Sequence, residues 1–286
     1  MSEVIIPEWL MTAANRSPNG SAWLQGLPAA INDVTRRWSL IVDSPIDEEA
    51  SCSWVAPCRR KDGTRAVLKL GLPHMEASHE VDGLLFWDGN PTVFVMEKDA
   101  ELNAMLLECC DPGTTLRMLP EVEQDEVIAG LLRRLWRAPP FPLPFRPLSE
   151  MIASWSEESR QQADKWPDKD LAEAGLRVYK ELLDSTVEEV MLATDLHAGN
   201  VLRAQREPWL VIDPKPFYGD PAYDATQHLL NCKDRLRNDP SGTIARFTDL
   251  LGIGGERVRL WTFARLATET GGDRSELQAL ARLVNP

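Results

Sequence analysis

The sequence has no run of apolar residues long enough to cross a bilayer, although 43% of its 286 residues are hydrophobic. Its first sixteen residues, MSEVIIPEWLMTAANR, also lack the basic start and long apolar stretch of a secretory signal. We therefore expect a cytoplasmic protein with no membrane partner. The length allows one large domain or two modest ones.

Basic residues are in short supply, with 31 Lys and Arg against 44 Asp and Glu and a net charge of −13 at pH 7. This balance argues against a nucleic-acid partner, because phosphate backbones require a basic face. It is compatible with a cationic small molecule, which an acidic cleft would attract. Taken alone, the acidity is explained more simply as a means of staying soluble.

Cysteine is also scarce, and the five cysteines are an odd number. The adjacent Cys109 and Cys110 suit neither an ordinary disulfide nor a tetrahedral metal site. We expect five reduced thiols.

The N-terminal part has a mainly β pattern. A helix is predicted over 21–38, with its firm start near Pro28. Strands are predicted over 53–57 and 65–71, and Asp62-Gly63 between them is a strong hairpin turn signal. A helix over 73–87 and strands over 92–99 and 104–110 complete the order strand, strand, helix, strand, strand.

The C-terminal part is mainly helical. Helices are predicted over 121–138, 149–166 and 169–187, and the proline-rich stretch APPFPLPFRP (138–147) is predicted to be a stiff connector. The pattern therefore indicates an α+β protein with a break near 110–113, dividing residues 1–110 from residues 111–286.

Two apolar runs in LATDLHAGNVLRAQREPWLVIDPK (192–215) lead into aspartates that should resist burial. We predict a β-hairpin formed by strands over 188–194 and 208–213. Asp195, Asn200 and Asp213 would lie at the ends of these strands. Carboxylate and amide oxygens suit Mg²⁺, which is usually held by one or two carboxylates together with substrate phosphates. Asn200 and Asp213 would serve as ligands, leaving Asp195 to accept the proton of an attacking hydroxyl.

This spacing matches the kinase pattern, in which a catalytic Asp is followed five residues later by Asn and then by a second metal-binding Asp. Together with AVLKLGLPHMEASHEVDGLLFW and IDPKPFYGDPAYDATQHLLN, the stretch resembles the aminoglycoside phosphotransferases, specifically their streptomycin 6-kinase and hydroxyurea kinase branch. The resemblance runs from about residue 7 to the C-terminus. It implies a two-lobed protein-kinase-like fold, with a small antiparallel β lobe that binds nucleotide (1–110) and a larger helical lobe for catalysis and acceptor binding (111–286). It also implies ATP and Mg²⁺ as cofactors and phosphorylation of an antibiotic hydroxyl, and we expect a monomer.

The resemblance also implies roles for individual positions. Asp195 matches the catalytic aspartate, and Asn200 and Asp213 match the metal ligands. Lys69 matches the lysine that holds the α- and β-phosphates.

Glu80 is the expected helix partner of this lysine, and Glu76, one turn earlier, competes for that role. Backbone groups from Glu108 to Cys110 are expected to meet adenine.

Two features depart from the family pattern. Ala193 and Thr194 stand where many relatives have His-Gly before the catalytic aspartate. The turn EEASCSW (48–54) contains no glycine, so contact with the triphosphate would rely on Lys69, the metal and backbone amides near 51–53.

Several other residues have two interpretations. His197 could be a base, but loop packing is the simpler role, because Asp195 already fills that position. Asp224 is expected to hold the backbone of the catalytic loop rather than to touch substrate. Trp261 and Glu269 could line the acceptor pocket or could equally be a core tryptophan and a solvated carboxylate.

The predicted function is ATP-dependent phosphorylation of a small cationic antibiotic resembling streptomycin. A hydroxyurea kinase, another small-metabolite kinase and a non-catalytic pseudokinase are the alternatives. The intact set of Lys69, Asp195, Asn200 and Asp213 opposes the pseudokinase.

Overall fold

The computed structural model describes residues 4–17, 19–46, 52–73, 75, 78–142, 144–186 and 188–285. Internal contacts divide the chain into two units. The first comprises residues 1–114 and 202–212, and the second comprises residues 115–201 and 213–286. Glu76 and most of the turn over 48–54, two parts of the sequence prediction, lie outside the described residues.

The first unit is built around a five-stranded antiparallel sheet in the order β1-β2-β3-β5-β4. Its elements are α1 (Glu8–Asn15), α2 (Gly20–Arg37), β1 (Ile41–Val42), β2 (Ser53–Arg59), β3 (Arg65–Gly71), α3 (Glu80–Trp87), β4 (Val95–Asp99) and β5 (Ala104–Glu108). The predicted order of strands and helix is confirmed, and the predicted turn between β2 and β3 is confirmed as well. There Asp62 accepts a hydrogen bond from the Thr64 amide, and Gly63 takes φ +86°.

Three details of this unit differ from the sequence expectation. The helix α2 begins at Gly20 rather than near Pro28, which lies inside the helix. Its apolar face explains why the proline is tolerated, because Leu27, Ile31 and Val34 are buried along it. In addition, α1 and the short β1 have no counterpart in the predicted elements, and α3 is shorter than the predicted helix over 73–87.

The two faces of the sheet carry different cores. One core joins α1 and α2 to Leu68, Leu70 and Leu106. The other packs Leu84 of α3 against Met105 and other residues of the sheet. Because side chains alternate along a strand, residues between the leucines of β3 face the side of α3.

The second unit is mainly helical, as predicted. Its elements are α4 (Glu121–Leu135), α5 (Leu148–Gln161), α6 (Lys169–Asp184), β6 (Val190–Leu192), β9 (Phe217–Gly219), α7 (Pro221–Asn231), α8 (Lys233–Asn238), α9 (Pro240–Leu251), α10 (Gly255–Thr268) and α11 (Arg274–Val284). The strands β7 (Val201–Arg203) and β8 (Trp209–Val211) form a hairpin. Apart from Val201, its residues belong to the first unit. None of these helices, within the part of the chain that the structure describes, is long and apolar enough to cross a membrane.

The predicted hairpin between 188–194 and 208–213 is wrong. The strand β6 pairs antiparallel with β9, and β8 pairs instead with β7. Both strands exist where the apolar runs predicted them. Their partners are set by tertiary packing, which a local pattern does not encode.

The helix α10 is the buried centre of the second unit, since Trp261 to Thr268 are all buried. The helix α6 approaches it closely at Gly175. A Cβ atom on Gly175 would lie 2.8 Å from Ala267 Cβ and 3.2 Å from the Ala264 carbonyl oxygen. The glycine is therefore required by the spacing of the two helices.

The substitution Gly175→Ala should destabilise the protein by about 1–3 kcal/mol, the usual cost of overpacking. Gly130→Ala is the matched control, because Gly130 also lies inside a helix but has no atom within 4 Å of its virtual Cβ. Alanine is the better helix former by up to about 1 kcal/mol, so this variant should be slightly stabilised. Denaturant unfolding followed by circular dichroism measures both, and equal effects of the two substitutions would contradict the packing argument.

Candidate active site

In the first unit, Lys69 and Glu80 form a buried ion pair. Lys69 lies in the middle of β3, opposite Met105, and therefore on the face of the sheet that packs against α3. Glu80 is the first residue of α3, and its Oε1 accepts a hydrogen bond from Lys69 Nζ at 2.6 Å. Only 5% of Lys69 and 3% of Glu80 is exposed. A charge pair this deeply buried holds its geometry, because either group alone would be costly to bury.

The end of β5 is fixed by an arginine of the same unit. Both carboxylate oxygens of Glu108 accept hydrogen bonds from Arg206, whose guanidinium also lies 4.3 Å from the centre of the Phe94 ring. The Glu108 amide donates to the Phe94 carbonyl oxygen. The amide and side chain of Glu108 are therefore committed to the fold. Burial raises the pKa of the Cys110 thiol to about 12, so that it stays protonated.

In the second unit, the loop after β6 brings Asp195 and Asn200 together. The Asn200 side-chain Nδ2 donates to the Asp195 carbonyl oxygen at 2.9 Å and lies 3.4 Å from Asp195 Oδ2. A short 3₁₀ turn over Ala198–Asn200 brings the chain back to this contact. The five-residue spacing seen in the sequence therefore corresponds to a closed loop.

Two residues of this region adopt a backbone conformation that side chains disfavour. Thr194 has φ +50° and Asp213 has φ +52°, both in the left-handed region. Thr194 stands where many relatives have glycine, which reaches this region without strain. Its hydroxyl donates to the Lys215 carbonyl oxygen at 2.6 Å, and the Lys215 amide donates to the Ala193 carbonyl oxygen. These bonds hold the strained turn in place.

His197 supports the loop by packing. Its Nδ1 accepts a hydrogen bond from the Gly199 amide at 3.0 Å, which leaves the proton of a neutral ring on Nε2, 3.9 Å from Asp195 Oδ1. Burial, followed by the nearby Arg117 cation, lowers the pKa of His197 to about 4. Because the lone pair of Nδ1 is occupied by the Gly199 amide and Nε2 carries the proton, the ring fits the packing role rather than that of a base.

The donor set at Asn200 and Asp213 fits a magnesium ion in its chemistry. Because the Asn200 Nδ2 is used on Asp195, the amide oxygen is the Asn200 atom oriented to accept. The Asp213 carboxylate supplies further oxygens, and one of them pairs with the Lys215 ammonium group. Two oxygen donors with no sulfur or nitrogen among them are what a hard cation such as Mg²⁺ prefers.

The backbone of the loop just before Asp195 is held by Asp224 of α7, as the sequence predicted. Its two carboxylate oxygens accept hydrogen bonds from the amides of Ala193 at 3.0 Å and Thr194 at 2.6 Å, and the Trp136 indole also donates to it. Asp224 is fully buried. Burial raises its pKa to about 6 against the opposing effect of these donors, so the group is ionised at neutral pH.

Sequence reasoning missed two residues near Asp195. Gln227, one turn after Asp224 on α7, donates from Nε2 to Asp195 Oδ1 at 2.7 Å. Arg265 of α10 donates from Nη2 to Gln227 Oε1, also at 2.7 Å. The spacing of three residues from Asp224 placed Gln227 on the same helix face. A lone arginine in the apolar run LWTFARLA was the corresponding signal for Arg265, because buried arginines are usually paired.

Trp261 lies in the core, whereas Glu269 is half-buried at the end of α10. Trp261 is fully buried and donates from its indole to Asp220 Oδ2 at 2.6 Å. Asp220 also caps the N-terminus of α7 and pairs with Arg257. Glu269 accepts a hydrogen bond from the Gly271 amide at the end of α10. The core interpretation of Trp261 is the one that its burial supports.

Among the described residues, one group of three His, Cys, Asp or Glu side chains has its metal-binding atoms close together, formed by Asp125, His228 and Cys232. This group is a buried ion-pair network. Asp125 accepts hydrogen bonds from Arg235, Arg246 and His228, and the bonds from His228 and Arg235 outweigh burial to lower its pKa to about 2. The Asp125 carboxylate is therefore already engaged by two guanidinium groups, which oppose the binding of a cation there.

Residues 37–272 match the family model described as aminoglycoside/hydroxyurea antibiotic resistance kinase. The chain belongs to this family. It is 36% identical to a streptomycin 6-kinase of Streptomyces glaucescens, over 92% of this chain and 89% of that one. It is 35% identical to a hydroxyurea phosphotransferase of Kitasatospora aureofaciens, over 86% of this chain and 73% of that one.

A choline kinase from Streptococcus pneumoniae has a similar structure, with a TM-score of 0.67 and 13% sequence identity, covering 91% of this chain and 99% of that one. At that identity the likeness shows the fold alone, and it confirms the predicted kinase-like fold. As a member of a kinase family, the chain is an ATP-dependent phosphotransferase.

In this antibiotic resistance kinase, Asp224→Asn should destabilise the fold. An asparagine has one acceptor oxygen, so its NH₂ group would face a backbone amide and leave a buried donor unpaired, at a cost of about 1–3 kcal/mol. Asp249→Asn, at an exposed position, is the control and should change stability by less than about 0.5 kcal/mol. Chemical denaturation of the two variants makes the comparison, and a neutral Asp224→Asn would show that the loop does not depend on this carboxylate.

Proposed function

We propose that the chain transfers the γ-phosphoryl group of ATP to a hydroxyl of a small cationic antibiotic of the streptomycin type. The observation that carries this proposal is the similarity over nine-tenths of the chain to a streptomycin 6-kinase. The geometry of each unit supports it, because each contains a preorganised set of groups that a phosphotransferase requires.

In the first unit, Lys69 would contact the α- and β-phosphates, with Glu80 holding its ammonium group in place. The buried pair supports this role, since Glu80 restrains the ammonium group at a fixed point. The backbone at Cys109 and Cys110 would meet the adenine ring. The arginine clamp on Glu108 would hold that stretch rigid.

In the second unit, Asn200 and Asp213 would hold Mg²⁺, which neutralises charge on the phosphates when bound. Asp195 would accept the proton of the acceptor hydroxyl while that oxygen forms its bond to the γ-phosphorus. The bond from the γ-phosphorus to the bridging oxygen of ADP would break, and ADP would leave. The assignment of Asp195 as the base is supported by the hydrogen bond from the Gly199 amide, which occupies the unprotonated nitrogen of His197.

Asp195→Asn should lower kcat with streptomycin as acceptor by about 10²–10⁴-fold, because only the proton acceptor is lost. ATP affinity should stay near that of the unchanged protein, since nucleotide contacts lie elsewhere. ATP consumption coupled to ADP detection, with and without Mg²⁺, measures both quantities. Full activity in Asp195→Asn would refute the assignment, and an unchanged protein that consumes no ATP with any acceptor would support the pseudokinase alternative.

The charge of the acceptor can be tested by measuring how its KM depends on salt concentration. With 44 acidic against 31 basic residues, the protein should attract a polycation such as streptomycin. The KM for streptomycin should therefore rise as ionic strength increases and the screening length falls below about 10 Å. Hydroxyurea is neutral, and its KM should change little.

The experiment measures KM for each acceptor in turn as the salt concentration is raised at constant Mg²⁺. A streptomycin KM that does not respond to salt would remove the electrostatic argument. A higher kcat/KM for hydroxyurea than for streptomycin would favour the hydroxyurea kinase.

A further inference from the structure

The carboxylate of Asp195 is linked to a buried arginine through the side chain of Gln227. Gln227 Nε2 donates to Asp195 Oδ1, and Gln227 Oε1 accepts from Arg265 Nη2, each at 2.7 Å. We propose that Gln227 is a positioning residue for Asp195 and that Arg265 fixes the polarity of the Gln227 amide. This inference rests on the proposed role of Asp195 as the base.

The direction of the link follows from hydrogen-bond chemistry. A guanidinium group can only donate, so the group facing Arg265 must be the amide oxygen of Gln227. The NH₂ group of the same amide is then obliged to face Asp195. A carboxylate can only accept while it is ionised, and the arginine therefore ensures that Asp195 meets a donor.

Arg265 is itself held on several sides. Its Nη1 donates to Thr226 Oγ1 at 2.7 Å, and the Thr226 hydroxyl in turn donates to the Tyr223 carbonyl oxygen at 2.6 Å. The guanidinium lies 5.1 Å from the centre of the Tyr223 ring and 5.7 Å from that of Trp155. Only 7% of Arg265 is exposed. These contacts leave the guanidinium little freedom to turn, so its Nη2 is a fixed reference point for the amide.

The consequence concerns the two oxygens of Asp195. Gln227 donates to Oδ1, and this bond restrains the rotation of the carboxylate plane. The other oxygen, Oδ2, lies on the side of Asn200, at 3.4 Å from its Nδ2. The geometry therefore assigns Oδ2 as the atom that accepts the hydroxyl proton, with Oδ1 as the anchored atom.

Three substitutions test the proposal. Gln227→Leu removes both hydrogen bonds, and Gln227→Glu keeps the acceptor toward Arg265 but turns a second carboxylate oxygen toward Asp195. Asn231→Asp is the matched control, because it makes the same amide-to-acid change on the same helix, at an exposed position whose side chain donates to the Gln227 backbone oxygen. Gln227 is only partly buried, so its variants are expected to fold.

With streptomycin and Mg-ATP, Gln227→Leu should lower kcat by about 10- to 100-fold, because displacements of about 1 Å in a reacting group can cost about 100-fold. Gln227→Glu should lower kcat at least as far, and Asn231→Asp should leave it unchanged. The KM for ATP should be the same in all three. A purely structural role would lower the melting temperature and the active fraction without this selective loss of kcat, and normal kcat in Gln227→Leu would overturn the proposal.

A double-mutant cycle in urea separates this inference from the proposed function. If Gln227 and Asp195 are coupled, the shifts in the urea midpoint of unfolding caused by Gln227→Leu and by Asp195→Ala should not add in the double variant. A chain that does not phosphorylate streptomycin but shows non-additive shifts would contradict the proposed substrate and support the link. Additive shifts would overturn the link whatever the substrate.

Discussion

The candidate active site depends on one buried carboxylate. Asp224 accepts hydrogen bonds from two successive backbone amides, those of Ala193 and Thr194, and thereby fixes the chain just before Asp195. Backbone amides at such a turn need acceptors when they are buried, and a single ionised carboxylate meets that need for both. Together with the bonds between this turn and Lys215, it offsets the strain of the left-handed conformation of Thr194.

The helix α7, which carries Asp224, positions the side chain of Asp195 as well as the backbone before it. Asp224 and Gln227 lie one turn apart on α7, so the helix geometry sets the position of the Asp195 carboxylate relative to its own peptide group. The helix is anchored at its N-terminus by Asp220, which binds both Arg257 and Trp261. A reacting group held by a rigid element in this way needs little reorganisation when substrate binds.

The departure from the His-Gly pattern of many relatives has a physical explanation in these contacts. Thr194 is less suited than glycine to a positive φ, but its hydroxyl adds a bond to the Lys215 carbonyl oxygen that glycine cannot make. Ala193 contributes only backbone groups to the loop. The loop is therefore ordered without the histidine.

Much of this site could be predicted from the sequence, because its chemistry is local. The spacing of Asp195 and Asn200 and the apolar run before Asp213 were sufficient to single them out, and the resemblance to the kinase family singled out Lys69. Strand partners could not be predicted, since β6 and β8 look alike in sequence and differ only in which neighbour the fold brings to them.

The link through Gln227 and Arg265 was missed for the same reason, because the two residues lie 38 positions apart. The start of α2 was predicted too late because of Pro28. Here the local penalty of proline is outweighed by burial of the helix face.

The most direct test of the account is the position of Asp195 in a crystal structure of the chain with Mg²⁺, a non-hydrolysable ATP analogue and streptomycin. We predict an acceptor hydroxyl oxygen within about 3.2 Å of Asp195 Oδ2, with Gln227 still bound to Oδ1. A hydroxyl that lies instead against His197, with Asp195 turned away from Gln227, would contradict it.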